Sequence, residues 1–223
     1  MLTRDAFLQG QILVHDVSSM MVSEVASPKK GDYIMDMWAA PGGKSIHAAD
    51  KMGDYGNVEA RDVSQYKADL IEENIQRTGV INVESKVQDA TIYDPDSEEK
   101  ADIVIADVPC SGYGVIGKKQ EIKYRATPQK QEEIVMLQRK ILDKAAKYVK
   151  PAGTLVFSTC TIAREENEEN VLWFLKNYPY RLESLDKYLP EELHCKSTKL
   201  GYLQLLPGIH KTDGFFIARF RRK

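Results

Sequence analysis

Strand-like and helix-like runs alternate along this chain from about residue 33 onward, and this alternation limits the possible folds more than any other feature. Short apolar or β-branched runs bounded by turn residues predict five strands, at residues 33–37, 58–62, 83–87, 103–107 and 154–159. Between them, apolar residues recur at spacings of three and four, which predicts amphipathic helices. Strand, helix and strand in series give parallel strands joined by crossovers. We therefore predict an α/β, doubly wound, Rossmann-like fold with a mostly parallel sheet.

The two ends of the chain depart from this alternation. Near the end, "YLQLL" and "GFFIARF" have no helix between them, which predicts an antiparallel pair beside the parallel strands. Near the start, "QILVHD" predicts a strand, and "VSSMMVSEVASP" predicts a helix that Pro28 ends. We expect residues 1–30 to form an N-terminal extension packed on the core, and residues 31–223 to form one domain.

Composition excludes several classes of protein. The 223 residues contain no apolar run of membrane-spanning length, and the start "MLTRDAFLQGQ" lacks the basic-then-apolar order of a secretory signal. Three cysteines with irregular spacing form neither a disulfide framework nor a zinc pattern. We therefore expect a cytoplasmic protein with reduced thiols, no membrane partner and no metal.

The charge pattern leaves a nucleic-acid partner open. The net charge is −2, so no global field attracts an anionic polymer. One stretch, "GKKQEIKYR", is locally basic. Such a loop is either a solvated face or a phosphate-binding surface, and charge alone does not decide between them.

A polar or reactive segment follows each predicted strand. The first strand leads into the glycine turn "WAAPGGKS", and the other four lead to acids or cysteines. These residues are Asp62, Asp89, Asp107 with Cys110, and Cys160. Singly, an aspartate there can cap a helix, and a cysteine can be a small buried apolar residue. Because ligands of doubly wound sheets bind at the carboxyl ends of the strands, the joint placement predicts a site at this edge.

The glycine turn indicates which ligand this edge binds. Its tail "GGKS" ends like a P-loop, but Trp38 occupies the place of the first glycine, and Pro41 opposes the geometry that wraps phosphates. The dinucleotide fingerprint G-x-G-x-x-G is also absent. A short turn and two acids suit a nucleoside with a ribose, an adenine and a small charged tail but no phosphate. S-adenosylmethionine is such a ligand.

Several motifs extend this interpretation: Asp36 before "AAPGGKS", then "DVPCSGYGVI", "EIKYR" and "STCT". Together they resemble the RsmB-like branch of the Sun/Fmu family of S-adenosylmethionine-dependent RNA (cytosine-5)-methyltransferases, over nearly the whole chain. The resemblance implies the class I methyltransferase fold, with a seven-stranded sheet that contains one antiparallel strand. It also implies methyl transfer to carbon 5 of a cytosine in RNA, with 16S (small-subunit) ribosomal RNA as the expected substrate.

The resemblance also assigns binding roles. The glycine turn would hold the methionine part of the cofactor, Asp62 its ribose and Asp89 its adenine, while Asp107 would face the reaction centre. The implied cofactor-binding residues are Trp38, Ala39, Ala40, Pro41, Gly42, Gly43, Lys44, Asp62, Asp89 and Asp107. The implied RNA-binding residues are Lys118, Lys119, Lys123 and Arg125.

Two of the cysteines match the family's reactive pair, with Cys160 as the nucleophile and Cys110 as the cysteine that helps to release the product. A thiolate is needed because carbon 5 of cytosine is a poor nucleophile until a sulfur adds to carbon 6. The residues alone do not decide which thiol attacks. The Pro-Cys cysteine attacks in DNA cytosine methyltransferases and the Thr-Cys cysteine in the RNA family, so we expect Cys160, with Cys110 and Asp107 completing the catalytic set.

Three alternatives stay open at this point. The same chemistry could act on transfer RNA, the chain could be a non-catalytic RNA-binding or assembly module, or it could be a nicotinamide-dependent oxidoreductase. Full-length members of the family carry an amino-terminal RNA-binding region of NusB-like fold. We therefore also expect this chain to be the excised catalytic domain of a longer protein, and we favour a monomer.

Overall fold

The computed structural model describes residues 4–53 and 55–223 of the chain. Its helices are Arg4–Leu8 (α1), Val17–Ala26 (α2), Gly43–Met52 (α3), Gln65–Thr78 (α4), Ile122–Arg125 (α5), Pro128–Tyr148 (α6), Glu168–Asn177 (α7) and Lys196–Leu200 (α8). Its strands are Tyr33–Asp36 (β1), Asn57–Asp62 (β2), Val83–Val87 (β3), Ala101–Asp107 (β4), Val149–Thr159 (β5), Tyr180–Leu182 (β6), Tyr202–Leu205 (β7) and Phe215–Arg222 (β8). The five strands predicted from the alternation are all present, and so is the predicted early helix, α2.

The strands of the described residues form one sheet in the order β3-β2-β1-β4-β5-β8-β6, and β7 pairs with β8 as well. Strands β1 to β5 run parallel, whereas β8 pairs antiparallel with β5, β6 and β7. The short strands β6 and β7 lie end to end along one edge of β8, pairing with residues 220–222 and 215–218 respectively. The strands therefore occupy seven positions across the sheet, with β8 antiparallel to its neighbours, as predicted.

Helices cover both faces of the sheet because neighbouring residues of a strand point to opposite sides. Ile34 in β1 packs in the core that contains α2, α3 and α4, whereas Met35 packs on the side of α6 and α7. The same alternation separates Ile103 and Ile105 from Val104 in β4. Burial on both faces explains why these strands read as continuous apolar runs in the sequence.

The strand order reverses between β1 and β4, because the chain winds outward to β3 on one side and to β5 on the other. A crevice lies outside the carboxyl ends of the strands at such a reversal, and ligands bind there. Asp36 ends β1, Asp107 ends β4 and Thr159 ends β5. The fold therefore delivers three of the predicted polar segments to one edge.

The prediction of a strand for "QILVHD" is wrong, because residues 11–16 contain no strand. The guanidinium of Arg77 in α4 donates hydrogen bonds to the backbone carbonyls of Phe7 and Ile12 instead. This segment is therefore held against the end of α4 and does not join the sheet.

The division of the chain at residue 30 stays a prediction, and residues 1–3 lie outside the described residues. Val22 and Val25 of α2 are fully buried and share one core cluster with residues of α3. The Ser23 hydroxyl donates a hydrogen bond to the backbone carbonyl of Lys44 at 3.1 Å. The extension thus packs directly on the helix that follows the glycine turn.

Candidate active site

The glycine turn joins β1 to α3 and is tied to the neighbouring strand β2. The Ala40 amide donates to the carboxylate of Asp62 at 3.0 Å. Gly42 has a φ of 98°, which favours glycine, and α3 begins at the next residue. A Cβ on Gly43 would lie 1.9 Å from Nε2 of His15. The backbone conformation thus favours glycine at residue 42, and a side chain at residue 43 would have to displace the His15 imidazole.

Asp36 is fully buried beneath this turn and has one oxygen without a partner in the described part of the chain. Its Oδ2 accepts a hydrogen bond from the Ser45 hydroxyl at 2.7 Å, whereas Oδ1 has no donor. Burial raises the pKa of Asp36 to about 6, although Ser45 and Lys44 act in the opposite direction. A buried carboxylate oxygen without a donor suits a ligand that carries a positively charged amino group.

Lys44 and Asp107 form an ion pair at the point where the strand order reverses. Nζ of Lys44 lies 2.7 Å from Oδ2 of Asp107, and Oδ1 of Asp107 accepts from the Ser158 hydroxyl at 2.7 Å. Burial favours the neutral amine of Lys44, but the Asp107 carboxylate outweighs it and raises the lysine pKa. The Lys44 amine is thus paired with Asp107 in this structure. Its assignment to the methionine part of a cofactor stays a prediction.

The two predicted reactive cysteines meet in space although 50 residues separate them. Sγ of Cys110, after β4, lies 3.1 Å from Sγ of Cys160, after β5. A hydrogen bond with Cys110 lowers the pKa of Cys160 against the effects of burial and of the Asp107 carboxylate, and the positive charge of Lys44 acts in the same direction as the hydrogen bond. The same bond, together with burial, raises the pKa of Cys110 well above its usual value. With Cys110 as the donor of this hydrogen bond, Cys160 is the more acidic thiol.

The segments that carry these cysteines, residues 108–114 and 160–167, are called the thiol loops below. A hydrogen bond of 2.7 Å joins the hydroxyls of Ser111 and Thr161, the residues that follow the two cysteines. The amide of Gly114 donates to the carbonyl of Cys160 at 3.1 Å. These bonds continue the pairing of β4 and β5 beyond the strand ends and fix the distance between the thiols.

Gly114 is packed too tightly for any side chain. Its carbonyl accepts a hydrogen bond from the amide of Gly214, just before β8, at 2.9 Å. A Cβ on Gly114 would lie 2.0 Å from the Gly214 carbonyl oxygen and 2.8 Å from that of Cys160. The hairpin of β7 and β8 therefore closes onto the thiol loops through direct contact between backbones.

A buried carboxylate that no sequence motif marks, Glu166, lies beneath the thiol loops. It is fully buried, and its Oε2 accepts from the Ser111 amide at 2.9 Å and from Nε2 of Gln138 at 2.8 Å. Its Oε1 accepts from Nε2 of Gln131 at 2.7 Å. In the acidic run "REENEEN" nothing distinguishes this glutamate from its exposed neighbour Glu165, because only tertiary packing buries it.

Asp62 and Asp89 lie where the sequence predicts them, after β2 and β3, and both make local hydrogen bonds. Asp62 is fully buried, and besides the Ala40 amide it binds Nζ of Lys67 at 3.1 Å. Asp89 is half-buried, and its Oδ1 accepts from the amide of Thr91 at 2.8 Å. Asp89 thus stabilises the turn after β3 and caps no helix among the described residues, and the contacts of both residues with ribose and adenine stay predictions.

The Trp38 ring contacts Lys67, the same lysine that binds the Asp62 carboxylate. Nζ of Lys67 lies 4.3 Å from the centroid of the Trp38 ring, a cation–π distance. The indole therefore forms part of the wall between the glycine turn and β2.

Residues 117–127, called the basic segment below, lie beside the thiol loops. Lys118 donates to Asp213 at 2.7 Å and to Asp16 at 3.2 Å, so two carboxylates already engage it. Lys119, Lys123 and Arg125 are exposed. Of the four predicted RNA contacts, Lys118 is thus the one whose charge is already offset.

A cavity of about 250 Å³ connects the basic segment to the thiol loops. Cys110 lies at one side of it, Ile122 and Ile134 supply apolar walls, and Arg125 and Lys130 supply cationic ones. Apolar surface together with cations suits a nucleobase and its phosphate.

A second, larger cavity of about 420 Å³ lies on the other side of the glycine turn, where His15 and His47 line it with the ends of α3 and α4. Burial lowers the pKa of His15 to about 4, with help from the charge of Lys44. This cavity contains neither of the two cysteines predicted to react, whereas Cys110 lines the smaller one, which is therefore the candidate active site. Among residues 4–53 and 55–223, no three His, Cys, Asp or Glu side chains are grouped to hold a metal ion, and no helix is long and apolar enough to span a membrane.

Comparisons with known proteins agree on one family. The family described as 16S rRNA methyltransferase RsmB/F matches residues 23–221. The chain is 39% identical over 220 residues to the probable ribosomal RNA small subunit methyltransferase B of Bacillus subtilis, covering 97% of this chain and 49% of the relative. It is 36% identical over 219 residues to ribosomal RNA small subunit methyltransferase F of Cronobacter sakazakii, covering 96% of this chain and 45% of the relative. The chain therefore spans about half the length of the curated relatives it matches.

A solved structure shares the fold. NSun6 from Pyrococcus horikoshii, solved with SFG, matches with a TM-score of 0.85 at 32% identity, covering 100% of this chain and 56% of that one. The predicted class I methyltransferase fold is confirmed.

Proposed function

This chain belongs to the 16S rRNA methyltransferase RsmB/F family, and from this premise we propose that it transfers a methyl group from S-adenosylmethionine to carbon 5 of a cytosine in RNA. Small-subunit ribosomal RNA is the proposed substrate, because the curated relatives of similar sequence are named for it. The observation that carries the proposal is the pair of thiols, 3.1 Å apart, beside the ion pair of Lys44 and Asp107.

The residues around the glycine turn suit the cofactor. The unpartnered oxygen of Asp36 can accept a hydrogen bond from the amino group of its methionine part, and Gly42 allows the left-handed backbone that the turn adopts before α3. Asp62 and Asp89 would hold the ribose and the adenine. When bound, S-adenosylmethionine supplies an electrophilic methyl group.

Cys160 is the proposed nucleophile. Its thiolate adds to carbon 6 of the cytosine, so that carbon 5 gains electron density and becomes able to accept the methyl group. The hydrogen bond with Cys110 and the nearby positive charge of Lys44 lower the pKa of Cys160 and so favour its thiolate. The Asp107 carboxylate, which pairs with Lys44 and acts electrostatically on both thiols, can accept a hydrogen bond from the edge of the base. After methylation, carbon 5 loses its proton to solvent, the C–H electrons re-form the double bond between carbons 5 and 6, and the Cys160 sulfur leaves as a thiolate, which restores the aromatic ring.

The cavity beside Cys110 is the proposed entrance for the RNA. A base must leave its stack to reach the thiols, and a cavity with apolar walls can receive it. Lys119, Lys123, Arg125 and Lys130 are exposed cations around this entrance that can contact phosphates. The proposal includes a monomeric, metal-independent protein that acts in the cytoplasm.

Covalent trapping tests the proposal. The chain is incubated with S-adenosylmethionine and RNA that contains 5-fluorocytosine, which cannot lose its substituent and should hold the Cys160 adduct. We expect a protein–RNA adduct in the wild type, no adduct in Cys160→Ala, and a normal adduct in the control Cys195→Ala, which removes the exposed third cysteine.

The substrate is tested in the same assay with two RNAs. A 16S ribosomal RNA fragment is expected to give the adduct, and an adduct with transfer RNA alone would overturn the assignment of the substrate. Binding of S-adenosylhomocysteine without an adduct on any RNA would indicate a non-catalytic module.

A further inference from the structure

The chemistry described above gives no role to Glu166, although its carboxylate is fully buried. Its three hydrogen-bond donors are neutral groups, and no Lys or Arg nitrogen of the described residues lies within 4.0 Å of its oxygens. A buried charge without a cation lowers stability unless hydrogen bonds offset it. Three hydrogen bonds offset this cost at Glu166, and its place beneath the loop of Cys110 points to a role beyond packing.

The hydrogen bonds of Glu166 act on the loop that carries Cys110. Its Oε2 accepts from the amide of Ser111, and Gln138 donates both to Glu166 and to the carbonyl of Pro109 at 3.0 Å. The residues on both sides of Cys110 are thus fixed through one carboxylate and one amide. Asn170 in turn holds Gln138, because its Nδ2 donates to the amide oxygen at 2.7 Å.

The charges around the two thiols are arranged asymmetrically. Cys110 owes its raised pKa first to the bond with Cys160 and to burial, and then to the negative charges of Cys160, Glu166 and Asp107. The negative charge of Asp107 also raises the pKa of Cys160, but the positive charge of Lys44 acts there in the opposite direction, and Glu166 acts on Cys110. The charged or titratable groups around Cys110 are Cys160 and Asp107 at the strand ends, Lys44 on α3, Glu166 beneath the loop, and Tyr113, Arg125 and Lys130 in the cavity wall.

We propose that Glu166 is a positioning residue that keeps the proton on Cys110, so that Cys110 donates a hydrogen bond to Cys160 and Cys160 alone is the nucleophile. The proton of Cys160 leaves to solvent, and that of Cys110 stays on its sulfur while the Cys160 thiolate adds to the base. This inference rests on the proposed function, and it explains physically why one of two adjacent cysteines attacks.

Thiol alkylation tests the inference without any methyl transfer. Iodoacetamide is applied at a series of pH values, and the labelled peptides are identified by mass spectrometry. In the wild type we expect Cys160 to react at a lower pH than Cys110. If Cys110 reacts first, the inference is wrong, whatever happens in the variants.

The charge of Glu166 is then tested in a Cys160→Ala background, where Cys110 titrates without its partner. Glu166→Gln should allow Cys110 to react at lower pH, because a like charge is removed. Glu166→Asp keeps the charge and should retain the original pH dependence, and so should the matched control Glu165→Gln, an exposed neighbour. An unchanged pH dependence in folded Glu166→Gln would overturn the inference.

Activity supplies a second readout. Glu166→Gln should lower kcat on the order of tenfold, in line with the loss of one hydrogen bond to a charged group. The alkaline limb of its pH profile should move to lower pH, whereas a purely structural defect would lower activity equally at every pH. If no RNA is methylated by the wild type, the proposed function fails, while the alkylation series still tests Glu166.

Discussion

The thiol loops and the basic segment are adjacent in the chain and face the same edge of the sheet, yet they are built differently. In the thiol loops, Gly114 is buried and presses on the carbonyls of Cys160 and Gly214. Three residues later, Gly117 is exposed and has nothing within 4 Å of an added Cβ. The backbone hydrogen bonds of the basic segment are local turns. The difference matches the two proposed roles, in which packed backbone positions the thiols and exposed side chains contact the RNA.

Substitutions of Gly114 and Gly117 test this difference most directly. Gly114→Ala should lower kcat/KM by about a hundredfold or more, because the thiols are displaced. It should also lower the free energy of unfolding by about 3 kcal/mol through overpacking. Gly117→Ala is the control and should change neither quantity measurably. Methyl transfer to RNA and urea unfolding measure both, and equal effects of the two variants would contradict the contrast.

The buried carboxyl of Asp36, beneath the glycine turn, should make the free energy of unfolding depend on pH. Folding raises the pKa of Asp36 from 3.8 to about 6. Its contribution to stability is therefore fully present below pH 4 and is lost as the pH rises through 6. Relative to Asp36→Asn, the wild type should lose roughly 3 kcal/mol of unfolding free energy between pH 4 and pH 8.

Urea unfolding of the two proteins at several pH values measures this difference. Glu121→Gln, an exposed carboxylate in the basic segment, is the control and should stay within about 0.5 kcal/mol of the wild type. A constant difference between wild type and Asp36→Asn across the pH range would show that the carboxyl is ionised throughout.

Exposed cations should act on RNA binding and not on the chemistry. The double variant Lys123→Gln/Arg125→Gln should weaken RNA binding about tenfold and reduce the salt dependence of binding by about two phosphate contacts. The control Lys100→Gln/Lys176→Gln removes the same charge from exposed positions elsewhere and should leave both unchanged. Filter binding at several salt concentrations measures the effect, and a fall in kcat at saturating RNA would contradict it.

Substitution of Lys118 should have the smallest effect on RNA binding, although this lysine belongs to the same basic segment. Because Asp213 and Asp16 already engage its amine, Lys118→Gln should change RNA affinity by less than about twofold. The same binding assay provides the measurement, and a loss as large as that of the Lys123/Arg125 variant would show that RNA displaces both carboxylates.

The sequence predicts the parts of this molecule that short-range patterns determine. Buried strands read as apolar runs, so the pattern alone places their ends, and with them Asp62, Asp107 and Cys160, at one edge of the sheet. The seven positions of the sheet follow from the family resemblance, but the division of its edge into β6 and β7 does not, since a strand of three residues such as β6 has no periodicity to detect.

The errors and omissions have tertiary causes. "QILVHD" has the composition of a strand, but contacts with Arg77 hold its start, and residues 65 to 70 positions away cannot be read from a local pattern. Glu166 and Glu165 are identical in type and adjacent, and only the packing of α6 against the thiol loops distinguishes them. Lys118 is paired for the same reason, because its two carboxylates lie far from it in the chain, one on each side.

The contact between Gly114 and Gly214 has a consequence for the order in which the protein becomes competent. Strand β8 lies between β5 and the short edge strands, and the residue before it completes the backbone support of Cys160. Gly214 and β8 follow strands β1 to β7 in the sequence. During translation, the backbone contact that supports the two cysteines therefore cannot form until after most of the sheet has left the ribosome. Domains with such long-range closure fold slowly, and here the delay falls on the catalytic centre itself.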